Sequence, residues 1–130
     1  RDSNEFVVNI VSEYFAEQMV MCSTDFDSNV DEFEISGLHA KSSDKVKPPR
    51  LLESKISFEC ELNQIVEIGK GNAGSGFVVI GTIVLFHIDD DVYKDGHILL
   101  DKLEPLGRLA GNKYTRPKDI LKISRKVKPE

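Results

Sequence analysis

The stretch Gly107-Arg-Leu-Ala-Gly-Asn-Lys-Tyr-Thr-Arg116 carries the densest set of groups able to hold a ligand. Small residues at Gly107, Ala110 and Gly111 let a backbone come close to something. Arg108 and Arg116 offer planar cations, Asn112 offers an amide, and Tyr114 offers a ring with a hydroxyl. That combination suits a flat, anionic ligand. It equally suits a loop tied to its own framework by Arg and Tyr hydrogen bonds. Spacing alone leaves both readings open.

Other patterns fail on their physical requirements. Gly69-x-Gly71-x-x-Gly74 matches the dinucleotide fingerprint, but a helix must follow it to hold pyrophosphate. Here a strand follows, so a Gly-rich hairpin loop is expected. It also lacks the Lys-Ser/Thr of a phosphate loop. Asp91 to Lys102 imitates a calcium loop, yet Tyr93 and Lys102 stand where carboxylates are required. His39, His87 and His97 lack metal-ligand spacing, with no other ligands beside them, and no metal is expected. His87 closes an apolar strand and reads as a hydrogen-bonded core histidine or one at a dimer interface; His97 reads as a surface turn residue. No Gly-x-Ser-x-Gly or Cys/His pair marks a nucleophile, and no catalytic residue is assigned. Cys22 and Cys60 form no C-x-x-C and read as free buried thiols in a reducing cytoplasm.

The elements that must position these groups follow from periodicity. Gly76 to Ile88 is the longest apolar run, rich in Val and Ile, with Gly76 and Gly81 arguing against a helix. It is expected to be a strand buried on both faces. Gly81 would mark a barrel corner, or a place where a ligand or another backbone comes close. Ile56 to Ile68 is a second strand. Ile56, Phe58, Cys60, Leu62, Val66 and Ile68 share the inner face, while Ser57, Glu59, Glu61, Asn63 and Glu67 share a wet one. Gln64 and Ile65 break the alternation and predict a bulge. The two strands would form an antiparallel ribbon around the loop 69–75.

Before them, Glu5 to Val11 reads as a strand, apolar on nearly both faces. Ser12 is a fair N-cap for a helix from about Glu13 to Cys22, with Phe15, Met19 and Cys22 on its core side. Asn29 to Gly37 predicts a short helix ended by Gly37. Ser42 to Arg50 is a loop, because Pro48-Pro49 bars a helix. After them come a turn-rich stretch from Asp89 to Gly96, one helical turn from Asp101 to Leu106 and a loop over Gly107–Arg116. Asp119 to Ile123 would be a short last strand. The sum is a mainly β chain, a β-barrel with appended helices, in one domain over 1–130.

The 130 residues carry a net charge of −5, and the whole is too acidic for a general nucleic-acid binder. The charge is uneven: Arg108 to Glu130 holds 8 bases and 2 acids. That end lacks the interleaved aromatics of a strand-stacking surface, so a solvated tail is expected from Lys122 onward, with no nucleic acid as partner. No run reaches the roughly 18 apolar residues of a membrane span, so no membrane partner is expected either. The chain opens on Arg1 and enters a strand pattern at once, so a natural N-terminal part is expected beyond this sequence.

Val78-Val-Ile-Gly-Thr-Ile-Val-Leu-Phe-His-Ile-Asp-Asp-Asp-Val-Tyr-Lys-Asp-Gly96 followed by Leu103-Glu-Pro-Leu-Gly-Arg-Leu-Ala-Gly-Asn-Lys-Tyr114 resembles the flavin reductase-like, FMN-binding split-barrel family, the flavoredoxin group. Glu5-Phe-Val-Val-Asn9, Val30-Asp-Glu-Phe33 and Gly37-Leu38 resemble it in the same order. The likeness runs from Arg1 to about Ile123. It implies a split β-barrel homodimer that binds FMN at the subunit interface and moves hydride or electrons between NAD(P)H and flavin. Arg108, Gly111, Asn112 and Tyr114 match the family's Gly-Arg-Leu-Gly-Gly-Asn-x-Tyr motif and would line or support the pocket. Asn9 matches Glu-Phe-Val-x-Asn and would order the adjacent flavin loop or serve structure alone. Ala110 stands where the family has Gly. The family's N-terminal half, with its main FMN contacts, is not represented, so the resemblance implies the C-terminal portion of such a barrel. A second polypeptide carrying that half is one expected partner. The alternative is a flavin-free barrel half that acts as an interaction module.

Overall fold

The computed structural model describes residues 4–22, 36–71 and 73–125, the side chains of 21 and 22 apart. Strand β1 (Glu5–Asn9) is followed by a 3₁₀ turn (Glu13–Phe15) and helix α1 (Ala16–Cys22). Next come the short strands β2 (Ala40–Lys41) and β3 (Arg50–Leu51), then the long β4 (Ile56–Ile68) and β5 (Gly76–Ile88). A second 3₁₀ turn (Asp90–Val92) leads to the hairpin β6 (Tyr93–Lys94) and β7 (His97–Ile98). Helix α2 (Leu100–Leu103) precedes a final hairpin, β8 (Gly107–Arg108) and β9 (Tyr114–Thr115). The architecture is mainly β with short helices appended. The predicted helix at Asn29–Gly37 falls mostly outside the described residues. Gly37 itself has φ of +77°, the left-handed conformation of a helix-ending glycine.

β1, β4 and β5 form one antiparallel sheet in the order β1-β4-β5. β4 and β5 have the bounds read from the sequence, because β4 alternates apolar and polar residues, β-branched residues dominate β5 and glycines punctuate the turn. The ladder slips between Leu62 and Gln64, one residue before the expected bulge, and again between Glu59 and Cys60. Opposite Leu62 stands Gly81, and a Cβ there would lie 2.4 Å from Cζ of Phe6. The glycine thus makes room for an aromatic ring carried by β1.

Two small cores flank this sheet. Phe15, Leu38 and Leu51 pack together, with Val11 and Met19 against them. Ile56, Val92 and Leu103 form the other, with Ile10 and Phe58. Phe15 is only 2% exposed, and burying such a ring contributes roughly 1.5–3 kcal/mol.

Several expectations need correction. β5 is a strand but is not buried: Val79 is 54% exposed and Phe86 56%. It is one of the two edge strands of its sheet, and among the described residues most of its side chains stay exposed. The polar face of β4 is not wet at its start: Ser57 and Glu59 are both fully buried, Glu59 against the loop 42–50 and Ser57 donating to Asn9 Oδ1. Ser12 occupies the N-cap position in extended conformation but makes no capping bond, and the first turn is 3₁₀. Gly107–Arg116 is a paired hairpin rather than a loop. Asp119–Ile123 is not a strand: no ladder partner meets it, and Leu121 and Ile123 stay exposed.

Candidate functional site

The β8–β9 hairpin is aimed by the segment before it. Glu13 N–H donates to Glu104 O at 2.9 Å, Leu106 N–H donates to Val11 O at 3.2 Å, and Ser12 bridges to Pro105. The chain therefore leaves Leu106 already aligned beside the start of the first helix. Arg108 pairs with Tyr114, and Gly107 with Thr115. A Cβ at Gly107 would lie 3.0 Å from Thr115 Cγ2, so a glycine lets the two strands close. Leu109 N–H donates to Lys113 O at 2.8 Å, and Gly111 turns the chain at φ +67°.

This hairpin brings four of the five sequence-predicted site residues together. Arg108 is exposed, and its Nη2 reaches Gly111 O only at 3.4 Å, a long bond that leaves most of the guanidinium fork open. Asn112 is exposed at the tip. Tyr114 is half-buried and lines an open groove of about 670 Å³ between the hairpin and α1, with Ala16, Val20, Leu106 and Thr115. Arg116 closes one end: its Nη2 lies 2.7 Å from Glu13 Oε2. Glu13 and Glu17 also line this groove, while Arg108, Gly111 and Asn112 stand outside its lining, so the hairpin offers a cation and an amide beside the groove and a ring within it. The loop-tying alternative accounts for Arg116 and, through the long bond to Gly111 O, for part of Arg108.

Asn9 is not on that groove. Its Oδ1 accepts from Leu51 N–H at 3.0 Å and from Ser57 Oγ–H at 2.8 Å. It ties β1 to β3 and β4, the structural role the sequence left open.

Sequence reasoning missed a third arrangement. Glu59 is fully buried on β4. Its Oε1 accepts from the N–H groups of Lys45 (2.6 Å) and Val46 (3.1 Å), and its Oε2 accepts from Asp44 N–H (2.8 Å). Nε2 of His87 lies 2.5 Å from the same Oε2. Burial pushes the Glu59 carboxyl up, but the His87 bond and the three amides outweigh it and hold the group at about 2. His87 is thus the hydrogen-bonded histidine expected, though carboxylates do stand beside it. The Asp44, Glu59 and His87 donor atoms lie within 4.8 Å of one another. Each oxygen of Glu59 already accepts from two donors. Extending the β4–β5 register from the hairpin loop would have placed Glu59 near His87. Cys60, next along β4, is a buried free thiol whose pKa burial raises.

The likeness to known proteins completes the picture. Residues 1–107 match the model of the flavin reductase like domain. The chain belongs to that family. An uncharacterised protein of Aquifex aeolicus is 36% identical over 116 residues, covering 88% of this chain and 57% of its own length. The solved structure of nitrilotriacetate monooxygenase component B from Bacillus cereus superposes with a TM-score of 0.86 at 27% identity, covering 94% of this chain and 61% of that one. A Shewanella frigidimarina structure with a split barrel domain superposes at 0.79 and 24% identity, covering 95% and 61%, which places the fold as a split barrel. The chain therefore spans about three-fifths of the length of these relatives. No helix among the described residues is long and apolar enough to cross a membrane.

Proposed function

We propose that this chain is the C-terminal portion of an FMN-binding oxidoreductase that moves hydride or electrons between NAD(P)H and flavin. The observation that carries the reading is membership of the flavin reductase-like family, with the family motif displayed on an open hairpin. Bound flavin would supply the electron-accepting ring, and the protein would supply position and charge. Arg108 would set a cation against the anionic ligand, and Asn112 would add an amide donor. Tyr114 would give the ring an apolar edge within the groove, and Gly111 keeps the backbone open beside it. Asn9 would act at one remove by holding β3 against β1. The protein would work as a homodimer in the cytoplasm, completed by the remaining two-fifths of the family's length, in the same polypeptide or a second one.

The flavin-free module remains a second reading, favoured by the uncovered apolar face of β5. FMN titration followed by visible absorption separates the two. The flavin reading expects bands that shift on binding, and an affinity roughly tenfold or more weaker in Arg108→Ala. Equal affinity in that variant would remove Arg108 from the site.

A further inference from the structure

Five of the six bases in the first 68 residues fall between Lys41 and Lys55. Four of them, Lys41, Lys45, Lys47 and Arg50, lie on β2, on β3 or on the loop those strands close. The loop is held to the sheet by its backbone. Glu59 takes the N–H groups of Asp44, Lys45 and Val46, Glu5 takes that of Lys47, and Asn9 takes that of Leu51. Glu53, just past β3, is engaged by His39, whose Nδ1 lies 2.6 Å from Oε2. The carboxylates of Glu5, Glu53 and Glu59 are thus engaged by amides and an imidazole, and Asp44 is the one acid within the loop itself. None of the four cations forms an ion pair among the described residues.

Two of these cations oppose each other. Lys41 and Arg50 are direct partners in the β2–β3 ladder. Side chains so paired start about 5 Å apart at Cβ, where like charges destabilise. Arg50 adds a second cost, since its Nε is buried with no acceptor among the described residues. An oxyanion held against the guanidinium neutralises the opposed pair. An apolar or cationic ligand does not.

We propose that the β2–β3 hairpin is an oxyanion site for a phosphate monoester, with Arg50 and Lys41 as its paired cations. Lys45 and Lys47 strengthen the field from the same rigidly held loop. A phosphate monoester carries between one and two negative charges at neutral pH, which suits two opposed cations better than a single carboxylate does. The 5′-phosphate of FMN and the 2′-phosphate of NADPH share this chemistry. Only the source of the phosphate rests on the flavin reading; the site itself does not.

The test is calorimetric titration of the purified protein with inorganic phosphate, with FMN against riboflavin, and with NADPH against NADH. It is repeated on Arg50→Gln, Lys41→Gln and the distant control Lys70→Gln. Lys41 is exposed, so its variant retains the fold even where Arg50→Gln loses it. The expected result is phosphate binding weakened roughly ten- to hundredfold in the two hairpin variants and unchanged in the control. A loss confined to FMN over riboflavin assigns the site to the flavin phosphate; a loss confined to NADPH over NADH assigns it to the nicotinamide nucleotide. A loss for inorganic phosphate alone assigns it to free phosphate. Phosphate binding with no flavin binding keeps the site and removes the flavin reading. Wild-type protein that binds none of these phosphates, or a folded Lys41→Gln with unchanged affinities, overturns the proposal.

Discussion

Glu59 shows how one buried charge can organise a region. Four N–H groups converge on its carboxylate, three from the backbone of a single loop. A buried charge with full hydrogen bonding is tolerated, whereas one stripped of partners is strongly destabilising. The folded pKa of about 2 lies below the ordinary value of 4.5, so the unfolded state binds the proton first. The contribution of Glu59 is therefore complete above about pH 4.5 and is lost as pH falls towards 2. Thermal melts of Glu59→Gln near neutral pH should show a loss of about 2 kcal/mol, because the amide cannot match the acceptors it replaces. They should also show a shallower decline below pH 4.5 than the wild type. Parallel decline in the two proteins would remove Glu59 as the acid-sensitive group. The sequence could not reveal this residue's burial. Its place in the alternation of β4 reads as solvent-facing, and the donors that bury it belong to main-chain atoms far along the chain.

Among the elements, the ribbon of β4 and β5 was the most legible. A thirteen-residue alternating strand and a thirteen-residue apolar one, separated by a loop with Gly69, Gly71 and Gly74, have one simple solution, an antiparallel hairpin. What was illegible was what covers it. An apolar run signals that a surface will be buried but not by which part of an assembly, so β5 reads as interior and stands as an edge. The strand expected at Asp119–Ile123 fails for the converse reason: three apolar side chains do not make a strand without a ladder to join. Gly81 belongs to this scale. The sequence marks it as a barrel corner or a close approach by a ligand or another backbone, and the group that approaches is instead the Phe6 side chain. Gly81→Ala should therefore cost about 1–3 kcal/mol, measured by chemical denaturation. Phe6→Leu should recover part of that loss in the double variant. Additive losses would place the strain elsewhere.

For the molecule as a whole, the governing fact is an apolar face that the described residues leave uncovered. Phe6, Val8, Leu62, Ile65 and Val79 line an open groove of about 610 Å³ across all three strands of the sheet. Faces of this kind mark sites of association. In the proposed homodimer the face is covered, so light scattering after size exclusion should give twice the chain mass. Val79→Lys should give a monomer while changing intrinsic stability by only about 0.5 kcal/mol. A wild-type protein of single-chain mass would contradict the homodimer. The family was readable from the order of several motifs along the chain. Which of the five candidate residues share a site was not, because Asn9 and Arg108 lie on different elements and only the fold separates them. The most direct test of the central claim is the visible absorption of the purified protein as FMN is added. The account predicts saturable binding with shifted flavin bands, followed by bleaching when NAD(P)H is supplied without oxygen. Flavin bands that match free FMN throughout the titration would contradict it.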